Sequence, residues 1–101
     1  SDDEYINAFK SHFNPIPGMA LSFALSISDQ NRTLVLDMDN SKLNCYYGEK
    51  EDATATIKSN HIVIDRIISG EVSLQDAFMA GSLTAKGNFN ILKSFDRIFN
   101  F

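Results

Sequence analysis

The groups in this 101-residue chain best suited to chemistry are two histidines, one cysteine and a scatter of carboxylates. A zinc site needs three or four His, Cys or carboxylate ligands at short spacings, and a catalytic His or Cys needs a neighbour that orients or activates it. His12 and His61 stand far apart, and neither is read as having such a partner. Both are expected at the surface or at a helix cap. Cys45 alternates with Leu43 and Tyr47 and has no basic neighbour in sequence, so it reads as a small buried hydrophobe rather than a nucleophile. Asp37 and Asp39 point the same way on a strand, opposite the apolar Leu34, Leu36 and Met38, and are expected on a solvated face. Gly81 and Gly87 lack the Gly-Lys-Ser/Thr ending of a phosphate loop, and Glu49-Lys50-Glu51-Asp52 reads as a turn rather than a metal loop. No catalytic constellation, metal site or cofactor site is expected, and the chain is not read as an enzyme.

Composition narrows the remaining classes. The net charge of −4 argues against nucleic acid, which needs clustered Lys and Arg to neutralise phosphates. It also disfavours a stable grip on anionic membrane and leaves room for transient membrane contact. No apolar run approaches the ~18 residues that span a bilayer, and the start Ser1-Asp2-Asp3-Glu4 is the reverse of a signal peptide. One cysteine cannot form an internal disulfide, so a cytoplasmic location is expected. With 44% hydrophobic and 22% charged residues, residues 1–101 are read as one folded domain with no internal repeat and no linker. The Ser start also fits an expression-tag scar or a C-terminal fragment of a longer chain. Eight phenylalanines and no tryptophan bring a large apolar load that has to be buried.

Periodicity then supplies the elements. Tyr5, Ile6, Phe9 and Phe13 share one face of a helix expected over residues 2–14, halted by Asn14-Pro15-Ile16-Pro17-Gly18. Leu21, Phe23, Leu25 and Ile27 alternate with Ser22, Ala24, Ser26 and Ser28, and Leu34, Leu36 and Met38 alternate with Val35, Asp37 and Asp39 after the turn Asp29-Gln30-Asn31-Arg32. Leu43, Cys45 and Tyr47 extend the meander; Ala53, Ala55 and Ile57 form a fourth strand whose small inward residues leave room. Asn60 caps a helix carrying Ile64, Ile67 and Ile68 and ended by Ser69-Gly70, and Ser73 caps a second one carrying Leu74, Ala77 and Phe78. Leu83 to Lys86 is a fifth short strand between Gly81 and Gly87. Asn88 caps a last helix with Ile91, Leu92, Phe95, Ile98 and Phe99 in a wide apolar stripe.

The stretch from Ala53 to Asn88 resembles the sterol carrier protein type-two family. The pattern is a small-residue strand, a helix ending in Gly, a second helix carrying Ala77-Phe78, then Gly81-Ser82-Leu83-Thr84-Ala85-Lys86-Gly87-Asn88. The resemblance is strongest from Val35 to Phe99 and extends to the first helix by element order. Asn88 stands where the family usually has Asp, and Tyr46 or Tyr47 where many members carry Trp. No peroxisomal Ser-Lys-Leu address closes the chain, so a peroxisomal role is not carried over.

The resemblance implies an α+β fold: a five-stranded, mostly antiparallel sheet covered by helices and enclosing an apolar cavity. It implies non-catalytic binding or transfer of a lipid, fatty acyl or sterol-like ligand. The alternative is an accessory module, recruiting substrate or mediating dimer contacts, in a larger enzyme or beside a partner enzyme. On this reading Phe23, Leu25, Leu36, Cys45, Tyr47, Ala55 and Ile57 floor the cavity, and Ile64, Ile67, Phe78, Leu92, Phe95 and Phe99 wall it. The last helix is expected to be the moveable wall, ending in exposed Phe99 and Phe101.

Overall fold

A computed structural model describes residues 3–101; the first two residues of the acidic start lie outside the described residues. The chain runs α1 (Glu4–Ser11), β1 (Ala20–Ile27), β2 (Arg32–Asp39), β3 (Lys42–Tyr47), β4 (Ala55–Ser59), α2 (His61–Ile68), α3 (Leu74–Met79), β5 (Thr84–Lys86) and α4 (Phe89–Ile98). The strands form one open sheet in the order β3-β2-β1-β4-β5. All neighbours are antiparallel except β1 and β4. Among the described residues no helix is long and apolar enough to cross a membrane.

Each helix starts where a short polar side chain accepts orphan N–H groups, the ordinary remedy for unpaired donors in a first turn. Asp3 accepts from the Tyr5 and Ile6 amides at 2.9 and 3.1 Å. Asn60 accepts from Val63 at 3.0 Å, Ser73 from Asp76 at 3.0 Å and Asn88 from Asn90 at 2.8 Å. A further cap joins two helices: the Asp96 carboxylate of α4 accepts from the Leu74 and Gln75 amides at 2.8 and 3.0 Å. That contact places α4 against the start of α3.

The single parallel pair dictates the route between β3 and β4. β3 lies at one edge and β4 on the far side of β1, so Gly48–Thr54 has to cross β2 and β1. It crosses the face opposite the helices, where Thr54 Oγ1 accepts from the Ser22 amide at 3.0 Å and Lys50 reaches Asp37 at 3.9 Å. Val35, on the same side of the strand as Asp37 and Asp39, is fully buried, and Ala24 beside it in register nearly so. The crossing segment covers them.

The helix face holds one continuous core, with Phe23, Leu25, Ile27, Leu34, Leu36, Met38 and Ile57 on the sheet side. Phe9 of α1 meets Phe95, Phe99 and Phe101 edge-on at 6.0, 5.1 and 5.4 Å between centroids. Phe95 in turn stands edge-on to Phe23 at 5.3 Å. Phe99 is not exposed as expected: it is 2% accessible, and Phe101 is half-buried. The end of the chain pairs with the segment after α1, through the bridge between Phe13 and Phe99 and the Asn14 and Asn100 amides bound to Ile98 and His12 carbonyls.

The small residue at 55 has a different purpose from the one expected. Gly87 passes so close that a Cβ there would lie 2.9 Å from the Ala55 Cβ, and its φ of +140° is one that side-chain-bearing residues rarely adopt. Ala55 makes way for this backbone rather than for open space. Gly87→Ala is therefore expected to cost about 2 kcal/mol of stability through overpacking and backbone strain, read as a lower urea midpoint with an unchanged slope.

Candidate lipid-binding layer

The site to be built from these elements is the layer between the sheet and the helices. Alternation on β1, β2, β3 and β4 aims Phe23, Leu25, Leu36, Cys45, Ala55 and Ile57 at the helices, and all six are buried. Ile64, Ile67, Leu92, Phe95 and Phe99 approach from α2 and α4, while Tyr47 and Phe78 are half-buried at the margin. The structure thus brings all thirteen expected residues into one cluster. They pack on one another in that cluster. A cleft of about 150 Å³ reaches the layer beside Ile67, Val72, Phe99 and Phe101.

Sequence reading missed the residues that hold α1 over this layer. Phe9 was placed on a helix face but not in the wall, although its ring is fully buried against α4. Tyr47 Oη donates to Asp3 Oδ1 at 2.8 Å, and the Arg32 guanidinium sits 4.1 Å over the Tyr47 ring while reaching Asp3 at 3.4 Å. On the other flank Tyr5 Oη donates to Asp65 at 2.8 Å. These pairs span 44 and 60 residues, and no local spacing announces them.

Electrostatics follows the geometry. Burial alone would raise the Asp3 pKa, but hydrogen bonds from Tyr47, Ile6 and Tyr5, with Arg32 nearby, outweigh it and hold the carboxyl below its usual value. Burial and the adjacent carboxylates raise both phenols, Tyr47 beside Asp3 and Tyr5 beside Asp65. Burial pushes the Cys45 thiol up to about 11, so at neutral pH it is the protonated, apolar form.

His61 does find a carboxylate, from outside its own neighbourhood. Asp29, in the turn after β1, accepts from the His61 backbone amide at 2.9 Å and pairs with its Nδ1. The hydrogen bond raises the His61 pKa and lowers that of Asp29. His12 Nδ1 lies 3.1 Å from the Asn100 carbonyl, its ring against Phe101. Among the described residues no group of three His, Cys, Asp or Glu side chains converges on a point.

The family model for the SCP-2 sterol transfer family matches residues 16–100, nearly the whole sheet-and-helix unit. The chain belongs to the SCP-2 sterol transfer family. The SCP-2 domain described here is similar to part of the sec-alkylsulfatase Pisa1 from Pseudomonas sp., with 17% identity and a TM-score of 0.84 over 100% of this chain. It spans 16% of that sulfatase chain. The palmitated form of SCP2L2 from Aedes aegypti matches with 16% identity and a TM-score of 0.71, covering 97% of this chain and 90% of that one. Sterol Carrier Protein 2 from Yarrowia lipolytica gives 20%, 0.59, 95% and 77% in the same order. At such identities the likeness shows the shared fold. No curated protein sequence matches the SCP-2 domain.

Two outcomes follow for the polar contacts. Tyr47→Phe removes a hydrogen bond to a partly buried carboxylate and is expected to cost about 1–2 kcal/mol in urea unfolding. The His61 contribution is fully present below the unfolded histidine value and fades as pH rises through the raised folded one. The Asp29 contribution is present above its unfolded value and is lost as pH falls through the lowered folded one. The melting-temperature gap between the parent protein and His61→Gln is thus expected to be widest near about pH 5–6 and to shrink toward pH 9.

Proposed function

We propose that this SCP-2 domain holds the apolar part of a lipid, a fatty acyl chain or a sterol-like molecule between its sheet and helices, and carries out no reaction itself. The observation that supports this reading is the layer itself: thirteen side chains from seven elements in one cluster, twelve of them without an N or O atom. Such a layer offers a ligand shape and the hydrophobic effect. Each buried methylene is worth roughly 0.8 kcal/mol, so a tail of about ten has enough driving force to leave a membrane surface during a brief contact. The same residues that fill the layer have to part for the tail, and the cleft beside Val72, Phe99 and Phe101 is the natural place for that to begin. Membership of a sterol transfer family supports the ligand class. A cytoplasmic setting fits a lone protonated thiol.

A second reading is a substrate-recruiting module joined to an enzyme. It is favoured by the full-length match of this chain to a segment making up 16% of a sulfatase. Both readings require the layer to accept an apolar tail, so one experiment tests their common part. Purified protein is incubated with a fluorescent long-chain fatty acid and, separately, with sterol, and followed by native mass spectrometry and thermal melting. One ligand per chain, together with a melting temperature that rises with ligand concentration, is expected. Absence of uptake, of co-purified lipid and of any thermal shift would overturn the lipid-binding reading.

A further inference from the structure

The sheet face away from the helices is only half covered. On its β2 and β1 side runs the crossing segment Gly48–Thr54; on its β1, β4 and β5 side the strand residues face solvent. The register fixes what stands there. Lys58 is opposite Thr84 and beside Ser26, while Lys86 is opposite Thr56, so both lysines stand diagonally on the same outer face. A groove of about 460 Å³ lies over this hydroxyl-lined floor, with Lys58 and Lys86 at it. A second groove shares Ser26 and Thr56 as floor, and its opposite bank is the crossing segment with Glu49 and Glu51.

One face therefore carries a positive bank and a negative bank about a neutral floor. Lys58, Lys86, Glu49 and Glu51 are exposed, and among the described residues none of the four enters an ion pair, whereas Lys50 of the same segment is tied to Asp37 and Asp52. An anion approaching the lysines meets the glutamates, and a cation meets the reverse, so a partner of single charge is matched on one side and repelled on the other. A two-fold axis over Ser26 and Thr56 resolves this. It brings the lysine bank of one copy onto the glutamate bank of the other, twice over, as an isologous contact requires.

From this we infer that the open sheet face is a self-complementary docking surface for a second copy of the chain. The helix layer stays free on the outer side of the pair, so the contact does not depend on the lipid reading, and neither result predetermines the other. Because the bank residues are solvated, association is governed by exposed charge and is weak and salt-sensitive.

Sedimentation equilibrium of the full chain at hundreds of micromolar tests the inference. In about 20 mM salt the weight-average mass is expected to rise toward twice the monomer value, and in about 500 mM salt to return to it. Lys58→Glu with Lys86→Glu puts glutamates on both banks, and Glu49→Lys with Glu51→Lys puts lysines on both. Each double variant alone is expected to stay monomeric at low salt, and an equimolar mixture of the two to form a heterodimer. Glutamine replacements serve if a reversal variant fails to fold, as shown by circular dichroism, and are expected to weaken association at least several-fold. A parent protein that stays monomeric at low salt would overturn the inference. So would association that the variants leave intact, or reversal variants that do not recover it on mixing.

Discussion

A sheet whose strands are apolar on one side has to be covered, and here the cover is fastened mainly by aromatic rings. Phe9, Phe95 and Phe99 meet edge-on or tilted over Phe23, so α1, α4 and β1 share one ring cluster. Edge-to-face packing directs the positive edge of one ring at the negative face of another and gives the cluster a preferred geometry beyond area burial. Remove that cluster and α1 keeps Tyr5 as its buried side chain, while α4 keeps Leu92 and Ile98. The polar ties of Asp3, Tyr47, Asp65 and Asp96 then refine the positions that the rings establish.

The same economy bears on function. On the proposed lipid-binding reading the same side chains form both the binding layer and the core, so a tail would enter by exchanging contacts with the rings it displaces. That exchange costs little if lost ring contacts are replaced by methylene contacts of similar area. A layer proposed to hold an apolar tail has little chemistry with which to tell ligands apart: apolar walls reject a wrong apolar shape by only a few kcal/mol at most. Polar groups stand at the margin, where Tyr47, Asp3 and Arg32 meet, and leave the interior without hydrogen-bond discrimination.

The second face of the sheet follows from topology rather than from patterning. Once β4 pairs with β1 instead of β3, the chain has to cross the sheet, and that crossing covers half of the outer face and charges its margin. The exposed remainder is rich in Thr, Ser and Lys. Lysines near a short edge strand also discourage uncontrolled strand pairing, which leaves a defined, charge-directed contact as the one such a face favours.

Local rules made much of this legible in advance. Period-two alternation located the first three strands, and Asn60, Ser73 and Asn88 marked helix starts because a cap acts over two or three residues. The thirteen expected layer residues came together because the side of an element that each occupies follows from periodicity alone. What the sequence could not show was anything depending on which elements become neighbours. The face of Asp37 and Asp39 read as solvated, yet a crossing segment buries Val35 on it; Phe99 read as exposed until residues 12–14 paired with it, and Ala55 read as leaving room until Gly87 occupied it. Asp29 with His61, Tyr47 with Asp3 and Tyr5 with Asp65 are likewise contacts across long loops. Periodicity and capping are short-range consequences of backbone geometry and can be read residue by residue. Packing of distant segments is a property of the closed chain, and only the tertiary structure decides it.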